Sequence, residues 1–293
     1  MHYIKLLRVK EWAKNSFLFL PLFFAGDIFN PDALLRLLVG FVAFSFIASS
    51  IYILNDYRDR EADSQHPEKK NRPLASGKVK PGTGLAIMIV LALLAMVISY
   101  ALNMNYFIII LIYFGLNIFY SLGLKNIAIL DLYIIAAGFI LRVKGGGAIT
   151  EVVVSHWLII MIFLLAIFLG LAKRRDDILI KLASGKEMRK AIKKYNLDFI
   201  NASIVMVSAI TVVAYLMYTL TPEVHERFSY RIYYTTLFVV AGLMRYLQLV
   251  YVENKTGSPT KILLKDRFVQ ITILLWLASF YLLIYVRDMK FFL

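Results

Sequence analysis

Cysteine is absent from the 293 residues of this chain. Disulfide bonds, thiolate metal sites and a cysteine nucleophile are therefore excluded, and any metal must bind to oxygen or imidazole. The chain also lacks room for a large soluble domain, and it has no internal repeat and no low-complexity linker. No small-residue cleavage site follows the first apolar run, so we expect no removable signal peptide. These absences favour one continuous domain over residues 1–293.

Apolar residues dominate instead. They make up 60% of the chain, compared with roughly 45–50% in soluble domains, and the mean hydropathy is +0.70. A bilayer core of about 30 Å requires about 20 mostly apolar residues per helix, and such runs recur along the chain. We therefore predict an all-α, polytopic membrane bundle of about nine transmembrane helices. The spans are placed near Asn15–Phe29, Ala33–Leu54, Thr83–Leu102, Asn105–Leu122, Ile127–Ile149, Val154–Ala172, Asp198–Leu220, Ile232–Val252 and Phe268–Val286.

Basic residues outnumber acidic ones, and the formal net charge is +14 at pH 7. We expect no nucleic-acid partner, because the basic residues lie in short loops where topology and anionic headgroups explain them better. One membrane side would hold 25 of the 33 basic residues, in the N-terminal segment and in loops 55–82, 123–126, 173–197 and 254–267. The positive-inside rule predicts that this side is cytoplasmic, with the N-terminus inside and the C-terminus outside the cell membrane. Residues Lys186–Leu197 could form an amphipathic helix on the inner surface.

Carboxylates recur at helical spacing directly after the second predicted span. If the helix continues, Asn55, Asp59 and Asp63 fall at i, i+4 and i+8 on one face, with Asp56 close beside them. Successive members would lie about 6 Å apart along the axis, and stacked like charges need a compensating cation. Mg²⁺ takes one or two carboxylates and completes its shell with waters and substrate phosphates. The pattern favours a platform for a Mg²⁺–diphosphate, and the alternative is a solvated loop whose acids pair with neighbouring arginines.

The loop that follows the carboxylates is basic and rich in turn residues. It contains Lys69, Lys70, Arg72 and Lys78, together with Pro73 and Gly77. Such a loop can close over a phosphorylated substrate and supply donors to oxygens that a metal leaves free. His66 is a candidate ligand here, although a loop histidine beside a proline is more often structural or exposed.

The NDxxDxxxD pattern of residues 55–63, within a nine-span bundle, resembles the first signature of the UbiA superfamily of intramembrane prenyltransferases. That resemblance implies a diphosphate bound through Mg²⁺ in a cavity open to the cytoplasm. The second UbiA signature is another aspartate-rich motif, but this chain has Lys173-Arg174-Arg175-Asp176-Asp177 in its place. Three cations before two acids favour a phosphate held by lysine and arginine over a second Mg²⁺. The alternative is a positive-inside stop signal.

This departure makes the chain similar to the polyprenyl-phosphate phosphoribosyltransferase branch of that superfamily. The order of the matching pieces along the chain carries the resemblance. The pieces are residues 8–15, 21–26, 52–63, 66–67, 72–77, 120–125, 130–131, 138–142 and 173–175.

The resemblance implies a donor, phosphoribosyl pyrophosphate, and an acceptor, a polyprenyl phosphate in the bilayer. The products would be polyprenyl-phosphoryl-5-phosphoribose and diphosphate, as in synthesis of arabinan precursors for the cell wall. Asn55, Asp56, Asp59 and Asp63 would hold Mg²⁺ on the leaving diphosphate, and the carboxylates would stabilise an oxocarbenium-like ribosyl centre. A homo-oligomer is neither required nor excluded.

Further candidates lie at other loops and span ends. Asp131 lies about one turn inside the fifth span, where an acid facing lipid would be costly, so it is expected to face the cavity as a ribose-hydroxyl or second-shell ligand. The candidates for phosphate contacts are Tyr120 and Lys125 for the donor, Lys173, Arg174 and Arg175 for the 5-phosphate or the lipid phosphate, and also Lys14 and Arg72.

The sequence leaves open the role of two basic residues and two alternatives to phosphoribosyl transfer. Arg142 and Lys144 lie about 16 Å beyond Asp131 along a helix, so both are expected to snorkel toward the outer surface. A conventional prenyltransferase acting on an aromatic or other polar acceptor would need a second acidic site. A transporter would place ionisable groups on paired broken helices at the membrane midplane.

Overall fold

In the computed structural model, the described residues are 2–65, 69–184, 194–253 and 265–286. Within these ranges the chain is built from α-helices joined by short 3₁₀ segments. The α-helices are α1 His2–Leu7, α2 Leu20–Ala25, α3 Pro31–Arg58, α4 Arg60–Ser64, α5 Pro81–Leu102, α6 Met104–Leu122, α7 Leu130–Thr150, α8 His156–Ser184, α9 Leu197–Thr219, α10 Pro222–Phe228, α11 Thr236–Tyr251 and α12 Arg267–Tyr285. The 3₁₀ segments are Val9–Phe19, Lys69–Asn71, Leu124–Asn126 and Tyr230–Thr235.

Seven of these described helices are long and apolar enough to cross a membrane, namely α3, α5, α6, α7, α8, α9 and α12. The all-α, polytopic membrane fold predicted from the sequence is confirmed. Two of the nine predicted spans have shorter helices. The first consists of a 3₁₀ segment followed by α2, and the eighth consists of a 3₁₀ segment followed by the 16-residue α11.

Local sequence sets the helix starts and ends. Asn30 caps α3 by accepting hydrogen bonds from the Asp32 and Ala33 amides, and Asn103 caps α6 in the same way. Such side chains satisfy amide groups that have no partner inside the helix. Gly26 ends α2 with φ of 80°, a conformation that glycine adopts without strain. The first apolar run thus changes from a 3₁₀ segment to a short α-helix that ends at this glycine.

The described helices group into two compact units. The first contains Met1–Lys125 and Ala137–Val154, and the second contains Asn126–Ala136 and Ser155–Leu293. Helix α7 contributes residues to both. The prediction of one domain over the whole chain stays a prediction.

The first unit is packed around α3, which buries a row of apolar residues including Phe44, Ile47 and Ile51. The N-terminal 3₁₀ segment approaches α7 closely at Gly146, where a side chain would overlap the carbonyl of Leu18. A glycine at this position therefore lets the two backbones touch.

Arg142 lies in the interior of the first unit, so the prediction that it snorkels to the outer surface is wrong. Only 5% of its surface is exposed. Its guanidinium donates hydrogen bonds to Asn15 Oδ1 at 2.8 Å, to the Gly138 carbonyl at 2.8 Å and to the Tyr113 hydroxyl at 3.1 Å. It also lies 4.8 Å from the ring centre of Phe44. These contacts compensate for burial of the charge. Lys144 is exposed, and its snorkelling stays a prediction.

In the second unit, α8 packs on α9 and α11 packs on α12. Buried polar groups join three of its segments: the Tyr215 hydroxyl lies 2.6 Å from Thr235 Oγ1 and accepts a hydrogen bond from Trp276 Nε1 at 2.7 Å. Helix α8 continues twelve residues beyond the predicted span end at Ala172, so Lys173, Arg174 and Arg175 are helical and do not begin a loop. The amphipathic helix predicted over Lys186–Leu197 lies mostly outside the described residues, as does loop 254–264, and His66 lies outside them as well.

Candidate active site

The predicted carboxylate motif lies at the end of α3. The helix ends at Arg58, Asp59 forms a joint with φ of −90° and ψ of 4°, and α4 follows directly. The Asp59 amide donates to the Asn55 carbonyl at 2.9 Å, and the Asp63 amide donates to the Asp59 carbonyl at 2.8 Å. The i to i+4 hydrogen-bond spacing therefore continues across the joint.

Two acids of this motif are buried and share one cation. The side chains of Asp56 and Asp63 are 2% and 5% exposed. Arg72 Nη1 lies 3.1 Å from Asp56 Oδ1 and 2.6 Å from Asp63 Oδ2. Arg8 forms a second ion pair with Asp56 and stacks on the ring of Tyr52 at 5.1 Å. Buried carboxylates are tolerated when they are paired in this way.

The other two members of the motif contact the end of α6 and the segment that follows it. Asn55 Oδ1 accepts a hydrogen bond from Ser121 Oγ at 2.6 Å. Lys125 Nζ lies 3.2 Å from both carboxylate oxygens of Asp59, and Arg58 donates to the Ser121 carbonyl at 2.7 Å. Asn55 and Asp59 thus have partners at the end of α6 and just after it, whereas Asp56 and Asp63 share Arg72.

The donor set of this cluster suits Mg²⁺. Every predicted ligand offers oxygen, the donor that this hard cation prefers, and Mg²⁺ needs only one or two carboxylates when phosphates supply further oxygens. The buried acids also require positive charge, as the position of Arg72 between them shows. Among the described residues, no three His, Asp or Glu side chains converge on a single point that could hold an ion.

A second polar cluster forms in the second unit around Asp131, whose side chain is fully buried. Arg174 donates to Asp131 Oδ2 at 2.8 Å and to Asp177 Oδ2 at 3.0 Å. The Tyr195 hydroxyl donates to Asp131 Oδ1 at 3.2 Å and accepts from the Ile129 amide at 2.5 Å. Burial raises the pKa of the Tyr195 phenol, and the nearby Asp131 carboxylate raises this pKa further. Arg174 therefore joins the start of α7 to α8.

Arg175 has different neighbours. Its Nε donates to Asn201 Oδ1 at 3.0 Å, and its guanidinium carbon lies 5.2 Å from the ring centre of Tyr251. The Tyr251 hydroxyl in turn donates to the Asn201 carbonyl at 3.0 Å. Adjacent arginines on α8 thus have separate environments, one acidic and one neutral.

The remaining predicted residues are placed as follows. Lys14 pairs with Glu11, and its side chain is 44% exposed. Tyr120 is half-buried near the end of α6, and Lys173 is exposed on α8. Arg8, Ser121 and Asp177 contact predicted site residues but were missed as site candidates. All three had a signal in the sequence, because Arg8 and Ser121 lie in pieces that carry the family resemblance and Asp177 lies in the place of the second signature.

The chain was compared with known proteins. The model of the UbiA prenyltransferase family matches residues 16–265. A decaprenyl-phosphate phosphoribosyltransferase of Mycolicibacterium smegmatis is 30% identical, with 94% of this chain and 90% of the relative covered. A protein of the same name from Corynebacterium glutamicum is 29% identical, with 98% and 87% covered. In fold the chain is similar to a UbiA homolog from Archaeoglobus fulgidus, solved bound to GPP and Mg²⁺, with a TM-score of 0.71, 21% identity and 97% and 99% of the two chains covered.

Proposed function

This chain belongs to the UbiA prenyltransferase family, and we propose that it transfers 5-phosphoribose from phosphoribosyl pyrophosphate to a polyprenyl phosphate. The products are polyprenyl-phosphoryl-5-phosphoribose and diphosphate. The observation that carries this proposal is the similarity, over nearly the whole of both chains, to relatives named decaprenyl-phosphate phosphoribosyltransferase.

The two polar clusters support the same assignment. The first unit offers buried acids with cations beside them, a set that suits a metal diphosphate. In the second unit, Asp131 and Asp177 are both paired with Arg174. Three basic residues, Lys173, Arg174 and Arg175, precede only two acids in this part of the chain, which favours a phosphate held by lysine and arginine over a second metal diphosphate.

Asn55, Asp56, Asp59 and Asp63 are the residues that would hold Mg²⁺. The bound ion would neutralise the charge that develops on the diphosphate leaving group. Arg8, which belongs to the same cluster, carries a positive charge against Asp56 and can donate hydrogen bonds to phosphate oxygens. Arg72, which contacts Asp56 and Asp63, and Lys125, which contacts Asp59, can also donate hydrogen bonds to phosphate oxygens.

The reaction needs little proton chemistry from the protein. A phosphate oxygen of the lipid forms a bond to C1 of the ribose, and the bond between C1 and the diphosphate oxygen breaks. The lipid phosphate is already an anion, so no strong general base is required. The role of the chain is to position both substrates and to stabilise the leaving group.

The proposed site faces the cytoplasm. The seven membrane-crossing helices identify a multi-pass membrane protein, and the excess of lysine and arginine near the acidic motif favours the cytoplasmic side of the cell membrane. A soluble, charged donor would reach the acids from that side, and the lipid acceptor would reach them from the bilayer.

The alternative is prenyl transfer from an isoprenoid diphosphate to an aromatic or other polar acceptor. It is favoured by the fold shared with a structure that holds GPP and Mg²⁺. Purified protein should be incubated with labelled phosphoribosyl pyrophosphate and polyprenyl phosphate, and in parallel with labelled isoprenoid diphosphate and 4-hydroxybenzoate. We expect a labelled lipid only in the first reaction. Product only in the second reaction would replace our assignment with prenyl transfer.

A further inference from the structure

An open pocket of about 630 Å³ lies on the second unit beside Arg175. Its lining residues are Asn201, Ala202, Val205, Met206 and Tyr251. The volume falls in the range of about 300–1,000 Å³ that is typical of small-molecule sites. Arg175 contacts two of the lining residues, Asn201 and Tyr251. Arg175 does not itself line the pocket, but these contacts place its guanidinium directly beside the two residues at the polar end of an apolar lining.

Arg175 and Arg174 differ in how their hydrogen-bond donors are used. Arg174 binds two carboxylates. Arg175 forms no ion pair within the part of the chain that the structure describes, and its hydrogen bond there uses Nε, which leaves the two terminal amino groups as donors. The residue is nevertheless 92% buried, as only 8% of its surface is exposed. A buried cation without a carboxylate partner favours an anionic ligand.

The polar and apolar ends of the pocket lie at different depths in the helices. Tyr251 is the last residue of α11, and Asn201 lies in the second turn of α9. Val205 and Met206 lie about one turn further along α9, toward its centre, and are 51% and 56% exposed. The polar end is thus near the ends of α9 and α11, and the apolar end lies toward the middle of the membrane-crossing helix α9.

We propose that this pocket binds the polyprenyl phosphate acceptor. The lipid phosphate accepts hydrogen bonds from the terminal amino groups of Arg175, and the first isoprene units lie on Ala202, Val205 and Met206. This inference rests on the proposed function and extends it, because it assigns the lipid phosphate to Arg175 and gives Arg174 a structural role. The 5-phosphate of the sugar donor is excluded as occupant because the lining beyond Asn201 is apolar.

The test measures lipid binding without turnover. Protein in phosphatidylcholine nanodiscs is titrated with radiolabelled polyprenyl phosphate and, separately, with uncharged polyprenol of the same length. Arg175→Gln should raise the Kd for the phosphate about tenfold or more, as expected for loss of a charge-assisted contact, and should leave polyprenol binding unchanged. The matched control is Arg231→Gln in the Tyr230–Thr235 segment at the other end of α11, which should change neither.

A second pair of variants tests the apolar part. Ala202→Trp fills the pocket and should weaken binding of both lipids. Ala209→Trp places the same side chain two turns further along the same face of α9, beyond the lining residues, and should weaken binding of both lipids less than Ala202→Trp does. A diazirine-bearing polyprenyl phosphate should crosslink to the peptide that contains residues 197–219.

Other outcomes overturn the inference. If Arg175→Gln raises the KM for phosphoribosyl pyrophosphate and not the lipid Kd, the arginine binds the donor. If phosphatidate competes as well as unlabelled polyprenyl phosphate, the pocket is a general phospholipid site. Unchanged lipid binding in both Arg175→Gln and Ala202→Trp places the acceptor elsewhere and leaves the proposed function intact. A wild type that neither binds polyprenyl phosphate nor forms product contradicts the proposed function as well.

Discussion

Replacement of Arg72 by glutamine tests whether the acids of the first unit need a cation. Arg72 Nη1 lies 3.1 Å from Asp56 and 2.6 Å from Asp63, so the change leaves two buried carboxylates without their shared partner. Removal of one member of a buried ion pair costs about 3–5 kcal/mol. The side chain of Arg72 is 29% exposed and Arg8 still pairs with Asp56, so we expect a loss of about 2–3 kcal/mol.

Mg²⁺ should recover part of this loss. In the wild type the ion must compete with Arg72 for the buried carboxylates, whereas in Arg72→Gln only Arg8 beside Asp56 and Lys69, 4.0 Å from Asp63, remain as competing cations. A ligand stabilises the folded state in proportion to the logarithm of its concentration over Kd. The rise in melting temperature on adding Mg²⁺ should therefore be larger in the variant than in the wild type.

The assay is thermal unfolding of purified protein in nanodiscs, followed by tryptophan fluorescence with and without Mg²⁺ at constant ionic strength. A loss of about 2–3 kcal/mol corresponds to about 4–12 °C, from the usual 2–4 °C per kcal/mol in chains of 150–250 residues. The matched control is Arg60→Gln, because Arg60 pairs with Glu61, which is 88% exposed, and exposed pairs contribute about 0–1 kcal/mol. Equal melting temperatures in the two variants, or equal responses to Mg²⁺, would refute the reasoning.

Two further predictions follow from the geometry. Asp59→Ala and Asp63→Ala should abolish Mg²⁺-dependent turnover while the proteins still insert and elute as single species; near-normal activity of purified Asp59→Ala would contradict its assignment as a metal ligand. Arg142→Gln should lower the stability by about 3–5 kcal/mol, because it breaks a buried charged network, whereas Lys144→Gln should lie within about 0.5 kcal/mol of the wild type. Thermal unfolding measures both, and equal melting temperatures would show that the Arg142 contacts contribute little.

The sequence predicted the membrane fold well because hydropathy alone identifies long apolar helices. It was less accurate where tertiary contacts decide the outcome. The end of the sixth predicted span was placed at Ala172, since charges normally end a membrane helix. Helix α8 continues because Arg174 is neutralised by Asp177, three residues along the helix, and by Asp131. No local pattern reveals the second partner, which lies 43 residues away.

The sequence predicted most residues of the candidate site, but it did not predict which side chains contact one another. Spacing on one helix placed Asn55, Asp59 and Asp63 on one face, and the hydrogen bonds across Asp59 keep that spacing. The partners of these side chains come from distant parts of the chain: Arg72 contacts Asp56 and Asp63, Arg8 contacts Asp56, and Ser121 and Lys125 contact Asn55 and Asp59. Helical periodicity cannot predict such long-range pairing.

The same electrostatic requirement explains why cations accompany the acids throughout the first unit. Carboxylates that hold a metal only while substrate is bound must be neutralised when it is absent, or the fold would carry uncompensated buried charge. Arg72 meets this requirement with one nitrogen between two acids, and Lys125 meets it at Asp59. If a metal diphosphate binds as proposed, these cations would lose carboxylate partners at the point where phosphate oxygens become available. The ion pairs of the substrate-free protein therefore place phosphate ligands where the proposed reaction needs them.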